Sequence, residues 1–123
     1  MVMDDEEIIR ELAAAMLTHL GYQAQTCTTG AEAVEQYRSA LEAGHRFDAV
    51  VMDLTVPGGM GGRETARQIL AFDPEAHLIV SSGYSNDPIM ADFKAYGFRG
   101  AVSKPYNLSQ FQNVLKSFAR GEA

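Results

Sequence analysis

The chain has no tryptophan and a single cysteine, Cys27, in 123 residues. One thiol excludes an internal disulfide and any metal site built from several cysteines. Cys27 therefore reads as a small buried filler in a reduced compartment. Basic residues are scarce as well: 10 Lys and Arg stand against 16 Asp and Glu, a net charge of −6. That balance argues against direct binding to DNA or RNA, because phosphate backbones call for a basic face. No apolar run approaches the roughly 18 residues of a membrane span, and no basic-then-apolar leader opens the chain. There is no internal repeat and no low-complexity tract. What remains is 46% hydrophobic with mixed charges, an ordinary globule of one domain over residues 1–123 that needs no staples to fold. Such a chain is expected in the cytoplasm, alone or tethered to a membrane-bound or soluble sensor, and makes no membrane contact itself.

Apolar spacing divides the chain into alternating short and long elements. Only Met1, Val2 and Met3 precede the acids Asp4, Asp5, Glu6 and Glu7, whereas strands usually run about five or six residues. A first strand here would be truncated, as in a domain excised from a longer chain. Ile8, Ile9, Leu12, Met16, Leu17 and Leu20 follow at helical spacing, one broad stripe ended by Gly21, with Glu6 and Arg10 placed to pair one turn apart. Tyr22 to Cys27 alternates like a strand. Thr29 and Glu32 form a capping-box pattern before a helix with Val34, Tyr37 and Leu41 on one face, stopping at Gly44. Asp48 to Leu54 is a continuous apolar run ending in Asp53, a strand buried on both faces. The glycine-rich stretch from Pro57 to Gly62 reads as loop. It is not a phosphate loop, since no Gly-Lys-Ser/Thr follows, and its glycines suit tight turns. A third helix to Phe72 buries Ala66, Ile69 and Leu70 and is closed by Asp73-Pro74. Leu78 to Val80 is a fourth strand, ending in Ser81-Ser82-Gly83. Asp87-Pro88 starts a helix carrying Met90, Phe93 and Tyr96 and ending at Gly97. Arg99 to Ser103 is a weak fifth strand. Asn107 caps a last helix with Leu108, Phe111, Val114, Leu115 and Phe118 inward, and the stretch from Gly121 to Ala123 frays.

Five strand–helix units imply right-handed crossovers and a parallel sheet covered on both faces. The expected fold is an α/β, flavodoxin-like three-layer (βα)5 sandwich with a five-stranded parallel sheet. By analogy with known doubly wound domains of five units, the expected order is 2-1-3-4-5. In such a sheet the strand ends share one edge. Asp4 and Asp5, Asp53, Ser82 and Lys104 would then meet at a single rim, with Ser81 facing away by alternation. Taken singly, each has a plainer reading. Asp4 or Asp5 could cap a helix, Asp53 could open a turn, the serines could bond nearby backbone, and lysine is rarely buried. Their coincidence at one edge carries the stronger reading. Acids gathered this closely call for a cation. An all-oxygen set with room for water suits Mg²⁺. A carboxylate there can accept a phosphoryl group, whose spreading charge a metal, an ammonium and a hydroxyl would stabilise. His19, His45 and His77 show no ligand spacing. Tyr84 could tune access to the site or merely cover the loop.

At this point the chain resembles the receiver domains of two-component response regulators over nearly its whole length. The matching pieces are Met3-Asp4-Asp5-Glu6, Val51-Met52-Asp53 with Pro57, Ser82-Gly83 and Lys104-Pro105-Tyr106. The resemblance implies that Asp53 is the phosphoacceptor, taking its phosphoryl group from a kinase histidine in cis or in trans. It implies that Asp5 and Asp53 hold Mg²⁺ through their carboxylates, Asp4 mainly through water and Thr55 through its backbone carbonyl. Ser82 and Lys104 would contact the phosphoryl oxygens, and Lys104-Pro105 would be cis. The stretches from Asp53 to Gly62, Ser81 to Pro88 and Tyr96 to Gly100 are similar to receivers attached to hybrid sensor histidine kinases. Such a receiver serves a phosphorelay, passing the group to a histidine phosphotransfer domain, and catalyses only its own phosphorylation and dephosphorylation rather than turning over a separate substrate. One departure stands out: many receivers carry an aromatic residue three positions before the lysine, where this chain has Ala101. Competing expectations are a stand-alone single-domain response regulator, an interaction module with a disused site, and a haloacid-dehalogenase-type phosphatase. The last needs an acid two positions after the nucleophile, where Thr55 stands.

Overall fold

The computed structural model describes residues 1–55, 59–83 and 87–119. The expectations for Pro57, Gly58, Tyr84 and residues 121–123 lie outside the described residues. In chain order the elements are β1 (Val2–Met3), α1 (Glu7–His19), β2 (Thr26–Cys27), α2 (Gly30–Glu42), β3 (Val50–Asp53), α3 (Gly62–Phe72), β4 (Leu78–Ser82), α4 (Pro88–Ala91), a 3-10 turn (Phe93–Tyr96), β5 (Gly100–Ser103) and α5 (Leu108–Ala119). The strands form one parallel sheet in the order β2-β1-β3-β4-β5. This is the expected doubly wound arrangement. Alternation along each strand splits the core in two. Met3, Val50, Met52, Leu78 and Val80 face Tyr37, Ala66 and Ile69 of α2 and α3. Val2, Val51, Ile79 and Val102 face Ala13 and Leu17 of α1 and Phe111 and Leu115 of α5. A strand flanked by helices on both faces must be apolar at every position, which is why Val50–Met52 reads as an unbroken run.

Several boundaries differ from those read in the sequence. β2 ladders only at Thr26 and Cys27, opposite the two residues of β1, and Tyr22 to Gln25 lie outside it. β4 carries on through both serines to Ser82. α4 is a single turn: the chain breaks at Asp92 and continues as the 3-10 turn. A one-turn helix has little stability of its own, and the tighter turn seats Tyr96 beneath the Arg63 guanidinium, 5.0 Å from the ring centroid. The α1 stripe is narrower than expected. Ala13 and Leu17 are buried, whereas Ile8 is 77% and Leu12 38% exposed. Those two lie about 100° around the helix from the line through residues 9, 13, 16 and 20 that meets the sheet. Arg10 does not pair with Glu6; its Nη1 donates to the Asp4 carbonyl at 2.9 Å. Half of the capping box forms: Thr29 Oγ1 accepts from the Glu32 N–H at 3.2 Å, while the Glu32 carboxylate takes the Thr28 and Thr29 hydroxyls. Asn107 caps α5 as expected, accepting from the Gln110 N–H.

Gly61 and Gly62, where α3 begins, serve space rather than turn conformation. Neither Gly61 nor Gly62 has positive φ. A Cβ on Gly62 would meet the Asp53 carbonyl oxygen at 2.8 Å, and one on Gly61 the Leu54 carbonyl oxygen at 2.5 Å. They let the start of α3 close down on the end of β3. Gly21, at φ +95°, does what a helix-terminating glycine should.

Asp73 does more than close α3. It is buried, and its carboxylate accepts from the Tyr37 hydroxyl at 2.6 Å and from Arg46 Nε at 2.9 Å and Nη2 at 2.5 Å. Burial alone would raise its pKa, but the Arg46 and Tyr37 hydrogen bonds outweigh burial and hold it below the ordinary carboxylate range. Tyr37 is pushed well up by burial and by Asp73. A depressed carboxyl contributes stability that is present above its unfolded pKa and lost as the pH falls through the folded value. Tyr37→Phe should therefore cost about 1.5–3 kcal/mol at pH 7 in a urea titration, the range of a hydrogen bond to a charged group, and its deficit relative to wild type should shrink in acid as Asp73 takes up a proton.

Candidate functional site

Backbone hydrogen bonds carry the sheet one residue past its strands and fix the edge where the polar groups gather. Asp4 N–H donates to Cys27 O, Leu54 N–H to Ser81 O and Lys104 N–H to Ser82 O. In register, Asp53 lies opposite Ser81 and Ser82 opposite Ser103. The edge therefore brings Asp4, Asp5, Asp53, Thr55, Ser82 and Lys104 together. An open cleft of about 410 Å³ there is lined by Asp5, Glu6, Asp53, Thr55, Ser82, Gly83 and Lys104. Ser81 turns to the opposite face, where its Oγ meets the Tyr106 hydroxyl at 2.5 Å. Lys104-Pro105 is cis. Ala101 is half-buried against the α2–α3 side of the core.

Lys104 is the hub of the cluster. Its Nζ is 2.8 Å from Asp4 Oδ2 and 3.3 Å from Asp53 Oδ1. Asp4 is fully buried. Its Oδ1 accepts from the Glu6 N–H at 3.0 Å, while Oδ2 is close to the ammonium yet accepts no well-aligned hydrogen bond. The contact is thus chiefly a charge pair, and that oxygen keeps capacity for another partner. Asp53 Oδ1 also takes the Thr55 N–H at a long 3.4 Å. Burial, then the neighbouring Asp4 charge, raises the Asp53 pKa despite Lys104. Burial works to lower Lys104, but its close contact with the Asp4 carboxylate and the charges of Asp53 and Asp4 together outweigh burial and raise it. The lysine is a cation here.

The metal expectation can be tested on the donors. Asp4, Asp5 and Glu6 each offer a carboxylate oxygen within 4.8 Å of the other two, and Asp53 and Thr55 line the same cleft. With Asp53 there are four carboxylates against one ammonium. All donors are hard oxygens, some exposed to water, and one buried oxygen lacks an aligned donor. That set fits Mg²⁺. Glu6 was not read from the sequence as part of this group, although its place in the run from Asp4 to Glu7 was the available signal. The Ser81–Tyr106 pair was missed as well; alternation said where Ser81 points but not what it meets.

The fold and edge define a class: a doubly wound α/β domain with an acid–lysine site at the carboxyl ends of its strands. The chain belongs to the response regulator receiver domain family, whose model matches residues 1–116. It is 28% identical over 121 residues to the chemotaxis protein CheY of Thermotoga maritima, covering 98% of this chain and 96% of that one. Among solved structures it is similar to the response regulator TrrA of the same organism, in complex with Mg²⁺ and BeF, at 29% identity and a TM-score of 0.80 over 94% of each chain. It is also similar to the receiver domain of a sensor histidine kinase of Pseudomonas aeruginosa, with a magnesium ion in its active-site cleft. That match has 25% identity and a TM-score of 0.77, over 94% of this chain and 91% of that one. Among the described residues no helix is long and apolar enough to cross a membrane.

A raised Asp53 pKa has a stability consequence. The folded chain holds the Asp53 proton more tightly than the unfolded chain. Through this group the metal-free fold is favoured at low pH and penalised as the pH rises through the folded value. Asp53→Asn should accordingly raise the melting temperature in EDTA at pH 7. The gain should vanish at pH values below the unfolded pKa, where Asp53 is protonated in both folded and unfolded chains, as thermal melts of the two proteins side by side will read.

Proposed function

We propose that Asp53 is a phosphoacceptor that takes a phosphoryl group from a kinase phosphohistidine in a Mg²⁺-dependent transfer. The observation that carries this reading is the Asp53 carboxylate at the end of β3, 3.3 Å from the Lys104 ammonium and facing an open, acid-lined cleft. An Asp53 oxygen attacks phosphorus, the phosphorus–nitrogen bond breaks, and the freed imidazole takes a proton from solvent. Lys104 and the Ser82 hydroxyl donate to the phosphoryl oxygens as charge develops on them. Asp5, Asp53 and the Thr55 backbone carbonyl would hold Mg²⁺, with Asp4 acting through water and Glu6 close by. The ion supplies neutralisation of phosphoryl charge. The burial of Asp4 against Lys104 supports its indirect role.

The donor must bring its histidine over the cleft. Ile8 and Leu12, exposed on α1 just beyond Asp5 and Glu6, offer an apolar landing surface for a helix of the kinase or of a phosphotransfer domain. We assign the domain to a hybrid sensor histidine kinase, a reading supported by the stretches around Asp53, Ser82 and Tyr96 and by its likeness to the receiver of a sensor kinase. A stand-alone regulator is the second reading, supported by the 28% identity to a chemotaxis protein. A kinase core upstream in the parent reading frame supports the first, and a DNA-binding domain downstream excludes it. Thr55 in place of a second acid disfavours a phosphatase with turnover.

Incubation with acetyl phosphate and Mg²⁺ should add one phosphoryl group by intact mass. The adduct should be absent with EDTA and in Asp53→Asn. An adduct that persists in Asp53→Asn overturns the assignment.

A further inference from the structure

Lys104 lies between two tethers to α5. On one side the Ser103 N–H donates to Gln110 Oε1 at 3.2 Å, and Gln110 Nε2 donates to Ser103 Oγ at 3.3 Å. On the other, the Tyr106 hydroxyl and Ser81 Oγ share a buried hydrogen bond of 2.5 Å. The Tyr106 ring meets Phe111 of α5 edge-on, centroids 5.0 Å apart, and Phe111 is fully buried. The Tyr106 hydroxyl also lies within electrostatic reach of Lys104, Asp4 and Asp53; burial, the largest influence, pushes its pKa up to about 12. It is a neutral hydroxyl that needs a partner, and Ser81 is that partner. Ser81 is itself the β4 residue opposite Asp53. At position 101 an alanine methyl has no ring to swing.

We propose that the Ser81–Tyr106 hydroxyl pair is the link that carries the state of the Asp4–Lys104–Asp53 cluster to helix α5. The proposal rests on the reading of Asp53 as phosphoacceptor. A phosphoryl group on Asp53 offers Lys104 new oxygens and draws its ammonium from Asp4. The backbone of residues 103–106 must follow, and Tyr106 and Gln110 couple that movement to the first turns of α5. Tyr106 is a positioning residue: it touches neither the phosphoryl group nor the metal ligands, and acts through Lys104.

The test is a double variant of the full chain, Ser81→Ala with Tyr106→Phe. It removes both hydroxyls together, so no buried polar group is left unpaired, and it keeps the ring against Phe111. Mg²⁺ with beryllofluoride serves as the phosphoryl probe, read by amide NMR. In wild type, shifts are expected both at the cleft (Thr55, Gly83, Lys104) and along α5 from Leu108 to Leu115. In the double variant the cleft shifts should persist and the α5 shifts should fall by more than half, the remainder passing through the Gln110 tether. Equal α5 shifts in both proteins overturn the link, as do wild-type cleft shifts without α5 shifts. Absence of any cleft response in wild type defeats the phosphoacceptor reading instead, and the link with it. A wild-type measurement covers failure of the variant to fold. The Tyr106 ring resonance must move in the same titration as α5, and a ring that stays fixed while α5 moves overturns the proposal.

Discussion

The structure depends on one ammonium placed among acids. Lys104 stands between Asp4 and Asp53, and without it two buried carboxylates would face each other. Two like charges about 4 Å apart cost roughly 4 kcal/mol at an effective dielectric near 20, a large share of a small domain's stability. The cluster persists because its backbone is held independently: Asp4, Leu54 and Lys104 are each pinned by a hydrogen bond to the neighbouring strand. Those bonds need the apolar ladder beneath them in register, and the register follows from two packed faces that fix which residue points where. The polar edge is thus an outcome of the hydrophobic core. The glycines at 61 and 62 complete it by letting α3 approach the end of β3.

Two buried acids in this chain meet opposite fates, and the contrast separates support from chemistry. Asp73 has Tyr37 and a forked guanidinium, and its carboxyl lies below the ordinary range. Asp53 has one ammonium shared with Asp4 and a long backbone contact, and its carboxyl lies above that range. The first site is satisfied by the protein alone. The second is left short of positive charge in a cleft open to solvent, the condition under which a cation or a transferred group has something to gain by binding.

Much of this was legible in the residues. The apolar run ending in Asp53 fits a doubly buried strand, and alternating strand and helix patterns imply a parallel sheet, which in turn puts Asp4, Asp53, Ser82 and Lys104 on one edge. What was illegible depended on contacts between distant segments. Arg46 and Asp73 show no spacing that would announce their pairing with Tyr37. Ile8 and Leu12 looked like core because helical periodicity marks a stripe without saying how wide the sheet beneath it is. The break after Ala91 escaped because Asp92 is unremarkable in a helix pattern. One-turn spacing points Glu6 outward to Arg10, whereas Arg10 satisfies the Asp4 carbonyl.

The small residues of β5 decide which way a disturbance at Lys104 can travel. A Cβ on Gly100 would meet Val114 Cγ1 at 2.7 Å, so α5 sits closer to β5 there than any larger residue would allow. Ala101, on the other face, fills less of the α2–α3 side than an aromatic ring would. Packed interiors resist gradual deformation, so movement follows the direct and close contacts. For residues 103–106 these lead to Gln110 and Phe111, on the same helix that Gly100 admits. An aromatic at 101 would have provided a rotor on the face toward α4. Its replacement by alanine, with a tyrosine two residues after the lysine and a serine waiting for its hydroxyl, shifts the mechanical weight of the site to the α5 side.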